Sequence, residues 1–213
     1  MPASEPRRFT TAARDALLEQ GWRLLDAPAG ITLATLRAAG APFKGSRYFD
    51  AQAARTVELP VPAGDIAYRP GLMPDSLNHT FEQGERLTRA LVPLLPHGAE
   101  ATIAPAALYV WLLQEHFRQH GEWPLRQCYT WTADRSRVHS QSTAEDASGR
   151  PQPRGNGASA DASVEYVHLA VGVFGQQRPL LVSPIPEPSG RGLGVMPIIV
   201  PSPPSPSPEE RGT

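Results

Sequence analysis

The run Val164-Glu-Tyr-Val-His-Leu-Ala-Val-Gly-Val-Phe174 decides the fold. Its alternate residues Val167, Leu169, Val171 and Val173 make one wholly aliphatic face, the period-two signature of a strand. The other face carries Tyr166, His168, Ala170, Gly172 and Phe174. Very small residues between aromatics and a histidine point to a shallow groove or a close backbone approach. Helices need the aliphatic face, because each buried Val or Leu stabilises the fold by about 1.5–3 kcal/mol. The His168 face is therefore expected to be the less covered one.

Three further segments have strand character. Gln127–Thr132 alternates, with Tyr129 and Trp131 on one side and Cys128, Thr130 and Thr132 on the other. Arg178–Ser183 and Gly194–Val200 are rich in Val, Ile and Leu. The links through Gly175–Gln177 and Pro184–Gly192 are short, which favours antiparallel neighbours in a meander of about four strands. Pro197 assigns the last strand to an edge. Thr56–Tyr68, broken by Pro60, Pro62 and Gly64, reads as an irregular edge strand, and Glu100–Ile103 as a short one.

The helices lie in the first part of the chain. Thr10 or Thr11 can cap a helix whose stripe is Leu17, Leu18, Trp22 and Leu25. Thr32 can cap a short second one, stopped by Gly40 and Pro42. A third is expected from Ser76 through Phe81, Leu87 and Leu91 to an end around Pro93 to Pro96. The fourth runs from Pro105 to His120, with Gly121 just past its end. Ala106–Leu113 is apolar on every side, so this helix is expected at the centre of the protein.

The expected architecture is an α+β fold, a single domain over residues 9–200. It has a mainly antiparallel sheet of about four to six strands, with helices packed on one face. Residues 1–8 read as a flexible N-terminus. Residues 140–163 are Ser, Ala, Gly, Gln and Pro with balanced charges, a composition that cannot bury enough apolar area to offset chain entropy. They read as a disordered insertion between two strands. Residues 201–213 read as a disordered Pro/Ser tail.

Composition excludes several classes. The 213 residues carry a formal net charge of −1, which argues against a nucleic-acid partner. A single cysteine excludes a disulfide framework. The longest apolar stretch, Ala104–Leu113, is about half a membrane span, and no signal peptide follows Arg7 and Arg8. A cytoplasmic protein without membrane contact is expected. All but one of the 20 basic residues are Arg, Lys44 being the exception, and Ala, Pro and Gly are abundant. That usage points to a high-GC bacterial genome rather than to a demand for guanidinium groups.

The familiar catalytic strings are missing: no phosphate-binding GxxxxGK, HExxH, CxxC or GxSxG occurs. Gly155–Ala160 matches GxGxxA, but lacks the strand and helix that such a phosphate loop needs on its flanks. No motif carries a resemblance to a known family. His116 and His120 stand four apart on one helix face, as in helical zinc sites, but no third ligand is placed. No metal and no cofactor are expected. Cys128 with His168 or His139 is a conceivable nucleophile–base pair, although lone cysteines are mostly inert.

Six of the fifteen aromatics fall between Tyr109 and Trp131. Those on the fourth helix belong to the core. Trp123, Tyr129 and Trp131, with Tyr166 and His168, are the expected binding surface, with Arg126 or Asp134 giving polarity at its rim. The expected function is a small soluble binding or interaction module for an unidentified small molecule or protein. No catalytic residue is assigned. The alternative is a small hydrolase or transferase using His168 or His116 with a nearby carboxylate.

Overall fold

The computed structural model describes residues 5–41, 43–45, 56–57, 59, 61, 63–125, 127–139, 164–173, 180–184 and 192–203. In chain order the helices are α1 (Thr11–Glu19), α2 (Leu33–Ala38), α3 (Phe81–Ala90) and α4 (Ala106–His120), with a 3-10 turn at Val92–Leu94. The strands are β1 (Arg23–Ala27), β2 (Phe43–Gly45), β3 (Thr56–Val57), β4 (Gly64–Tyr68), β5 (Ala99–Thr102) and β6 (Cys128–His139). After them come β7 (Val164–Val173), β8 (Leu180–Pro184), β9 (Leu193–Gly194) and β10 (Ile198–Pro201). The expected insertion at 140–163 lies outside the described residues, as does the tail from residue 204.

The fold is α+β with mostly antiparallel pairing, as the strand patterns predict. The strands divide between two sheets. The first has the order β1-β4-β10-β5 and is antiparallel throughout. The second has the order β2-β8-β7-β6-β3, with β9 also beside β6. Its β6-β7-β8 meander is antiparallel, while β2 and β9 pair in parallel with β8 and β6. The expected fourth strand of the meander breaks at Val195–Pro197. Its first part stays with β6 and its second crosses to the other sheet.

Two edge assignments are corrected. β4 and β10 are interior strands, each paired on both sides. Pro197 precedes β10 and removes no ladder donor from it, while Pro60 and Pro62 lie outside the described residues. All five residues of β4 are buried. Gly64 opens β4 at φ +113°, and a Cβ there would run into the Arg7 backbone. The close approach lets Arg7 donate to the Ala63 carbonyl and accept from the Asp65 amide.

Helix boundaries follow their caps. Thr10 accepts from the Ala13 amide, and Thr32 and Thr80 form capping boxes with Thr35 and Gln83. α3 therefore starts five residues after Ser76, and Leu77 is exposed. Ser76 instead pins its loop, accepting from the Val195 amide and donating to the Met73 carbonyl. Gly21, at φ +81°, ends the first helix early and puts Leu25 in β1. α4 ends at Gly121 in the left-handed region, φ +73°. It is buried over most of its length and packs against β6 and β7, while His116 reaches β4 of the other sheet.

Candidate functional site

The geometry of β6 and β7 is the first test of the expected surface. Trp131 pairs with Ala170 and Tyr129 with Gly172, so both aromatics share the His168 face. The Trp131 and His168 ring centroids are 6.3 Å apart, edge to face. His168 is half-buried, whereas Leu169 and Val171 are fully buried. To that extent the alternation is read correctly.

The less covered face nonetheless carries a helix. α3 lays Phe81 flat on His168, with centroids 3.5 Å apart and planes 10° from parallel. Trp131 is only 2% exposed and donates its indole N–H to the His79 carbonyl at 2.9 Å. A Cβ on Gly84 of α3 would collide with Val195 and touch the Trp131 ring, so the helix approaches closely at that glycine. The His168 Nδ1 lies 3.2 Å from the Thr132 carbonyl, which can only accept, so Nδ1 carries the proton. Stacking and hydrogen bonding thus make Trp131, His168 and Phe81 a packing cluster.

The remaining candidates scatter. Trp123 lies elsewhere, stacked on Phe117 at 4.5 Å. Tyr129 is half-buried against Gly172, where a Cβ would strike its ring. The side chains of Tyr166 and Arg126 lie outside the described residues. Asp134 is buried and sits at no rim. It accepts from the Ala106 amide at 2.6 Å, capping α4 from across the sheet, and from the Leu59 amide at 2.7 Å. Cys128 pairs with Val173 and so belongs to the face opposite His168, which removes that nucleophile–base pair.

A different polar cluster forms where α4 meets the first sheet. Arg23 and Tyr68 are directly opposed across β1 and β4. The Tyr68 hydroxyl lies 2.8 Å from His116 Nδ1, and the rings meet edge to face at 5.8 Å. The positive charge of Arg23 also acts on this hydroxyl. His120, one turn on, places its ring 4.6 Å from that of His116. His116 is 1% exposed, its Nε2 is without a hydrogen-bond partner, and so is the buried Arg23 Nη1.

Charge follows from this packing. Burial first, then the charges of His120 and Arg23, push the His116 pKa down to about 4, with Glu122 opposing. Burial pushes the Tyr68 phenol up, against the pull of Arg23. At neutral pH the pair is a phenol and a neutral imidazole. The alternative catalytic reading needs a carboxylate near His116: the partner on its Nδ1 is a phenol, and Glu122 acts on the ring through its charge. Among the described residues no three His, Cys, Asp or Glu side chains gather as metal ligands, and no helix is long and apolar enough to cross a membrane.

Sequence reasoning flagged His116 by its spacing from His120 but missed Tyr68 and Arg23. Their signal is a cross-strand register between segments more than forty positions apart, which no local pattern carries. Comparison with known proteins returned no matching family model, no similar curated protein and no similar solved structure.

Proposed function

We propose that this protein is a binding module for a small polar molecule, acting in the cytoplasm, with its site at Arg23, Tyr68 and His116. The observation that carries the reading is the buried His116 imidazole, bonded through one nitrogen and without a partner on the other. Leaving a buried polar group unmatched costs about 1–3 kcal/mol, a cost that a ligand supplying the missing partner recovers. The Phe117–Trp123 stack adds apolar surface beside the same helix end, Phe117 being 40% exposed. This keeps Trp123 from the expected aromatic surface. It moves the centre from His168 to His116, because His168 is already sandwiched by its neighbours.

One observation favours a second reading. The 2.8 Å contact between Tyr68 and His116 is also the geometry of an acid–base pair. Ligand screening by side-chain NMR separates the alternatives. Binding without turnover, with shifts confined to His116 and its neighbours, supports the module. Chemical conversion of a bound compound, abolished in Tyr68→Phe, favours the enzyme. Shifts confined to His168 and Tyr129 would overturn the site assignment.

A further inference from the structure

His116 and His120 are four residues apart on α4, and one turn of helix puts both rings on the same face. Their centroids stand 4.6 Å apart, with the planes inclined at 52°. Two imidazoles that share one ion at metal–nitrogen distances of about 2.1 Å have ring centres roughly 4.5–5.5 Å apart, the shorter value going with a bond angle of about 90°. The observed spacing lies at the short end. The second observation is the state of the two His116 nitrogens, on a residue that is 1% exposed. Nδ1 is held by the Tyr68 hydroxyl at 2.8 Å, and Nε2 is buried without a partner. A hydroxyl donates or accepts, so it can take the Nδ1–H bond and leave Nε2 with a lone pair. Metal-bound histidines are held in this way, by an outer partner on the nitrogen that does not touch the ion. His120 is exposed on the last turn of α4, so its ring can turn toward an ion whose other positions are open to water.

We propose that His116 Nε2 and the His120 ring form a two-histidine site for a divalent transition metal, Cu²⁺ before Ni²⁺ or Zn²⁺, with the Tyr68 hydroxyl orienting His116. Imidazole suits these ions, whereas Mg²⁺ and Ca²⁺ take oxygen ligands. The order follows the general affinity of nitrogen ligands, and the short ring spacing suits right-angled Cu²⁺ or Ni²⁺ geometry better than tetrahedral zinc. Two protein nitrogens hold an exchangeable ion, so the fold is expected to stand without it. The site departs from the expectation of no metal, which rested on the missing third ligand. It goes beyond the binding module proposed above, since it takes His120, which that reading leaves out, and makes no use of Arg23. The charge of Arg23 opposes a cation at His116, and that of Glu122 favours one.

The test titrates the full chain, free of any affinity tag, with Cu²⁺, Ni²⁺, Zn²⁺ and Mg²⁺ by calorimetry. A long-range proton–nitrogen correlation spectrum of the histidine rings, recorded with Zn²⁺, locates the ion. The expected result is a single equivalent of Cu²⁺ bound more tightly than Ni²⁺ or Zn²⁺, and no uptake of Mg²⁺. With Zn²⁺ the His116 Nε2 and His120 ring signals should shift, the His116 proton sitting on Nδ1, while His97 and His168 stay in place. Tyr68→Phe removes the outer partner and should weaken Cu²⁺ binding by about 10–100-fold, and His120→Ala should weaken it by about tenfold or more. His120 is exposed, so its variant should fold, and unmoved His97 and His168 signals report that it has. His120→Ala leaves Arg23, Tyr68 and His116 in place, so small-molecule binding by the proposed module survives it whichever way the metal test falls. Unchanged Cu²⁺ affinity in either variant, shifts at other histidines in place of this pair, or no binding of any of the ions would overturn the proposal.

Discussion

Asp65 is the clearest case of one side chain organising its surroundings. It is 4% exposed and accepts from Arg8 at 2.9 Å, from the Phe9 amide at 3.0 Å and from Arg14 at 2.9 Å. Burial pulls its carboxyl upward, but these donors and charges outweigh burial and hold it below the ordinary carboxylate value. The two arginines are about half exposed, so the Coulomb part is screened and the buried Phe9 amide is the expensive partner to lose. Asp65→Ala is expected to cost about 2 kcal/mol, a fall in Tm of roughly 4–8 °C by thermal melting. A fall below about 1 °C would show that residues 7–9 are held by other means. The same group makes stability pH-dependent. Its folded pKa is depressed, so its contribution is present above the unfolded value and is lost as pH falls through the folded one.

At the scale of elements, α4 is a fifteen-residue helix whose first turn has no cap of its own, since Pro105 has no side-chain donor or acceptor. Asp134 of β6 supplies the cap from the second sheet. Asp134→Ala is expected to cost about 2 kcal/mol or slightly more, because it also orphans the Leu59 amide. Hydrogen exchange should rise first at Ala106–Leu108. Uniform exchange along the helix would contradict a local capping role. The central position of α4 was legible in Ala106–Leu113, whose apolar residues leave no face for solvent. Its end at Gly121 and the caps at Thr10, Thr32 and Thr80 were legible because capping is local chemistry. The interior placement of β4 and β10 was not. Pro197 resembles an edge marker until the register shows that it stands just outside the ladders that begin at Ile198. The covering of His168 by Phe81 was not legible either, since it depends on α3 arriving from a segment far upstream.

At the scale of the whole molecule, the two sheets meet at α4, and the meander β6-β7 closes on residues 140–163. His139 and Val164 are directly paired, so the hairpin is closed at its base whatever joins them. Replacing 140–163 by a short Gly/Ser turn should leave Tm within a few degrees, because closure entropy changes slowly with loop length. A fall of more than about 10 °C would show that this segment packs against the fold. Acid stability carries a second contribution, from His116. Its folded pKa lies below its unfolded one, so between about pH 6.5 and 4 the unfolded chain binds the extra proton. Stability should fall by roughly 2–3 kcal/mol as pH drops through that window, and His116→Gln should flatten the fall.

The burial and neutrality of His116 beside Tyr68 underlie the site, the ligand chemistry and the acid response together. The most direct measurement is the titration of the His116 ring by side-chain NMR in the ligand-free protein. The account predicts a ring that stays neutral until about pH 4, and a His116 pKa that rises in Arg23→Gln, which removes one of the charges that hold it down. A ring that titrates near the ordinary value of 6.5 in the wild-type chain, unchanged in Arg23→Gln, would contradict it.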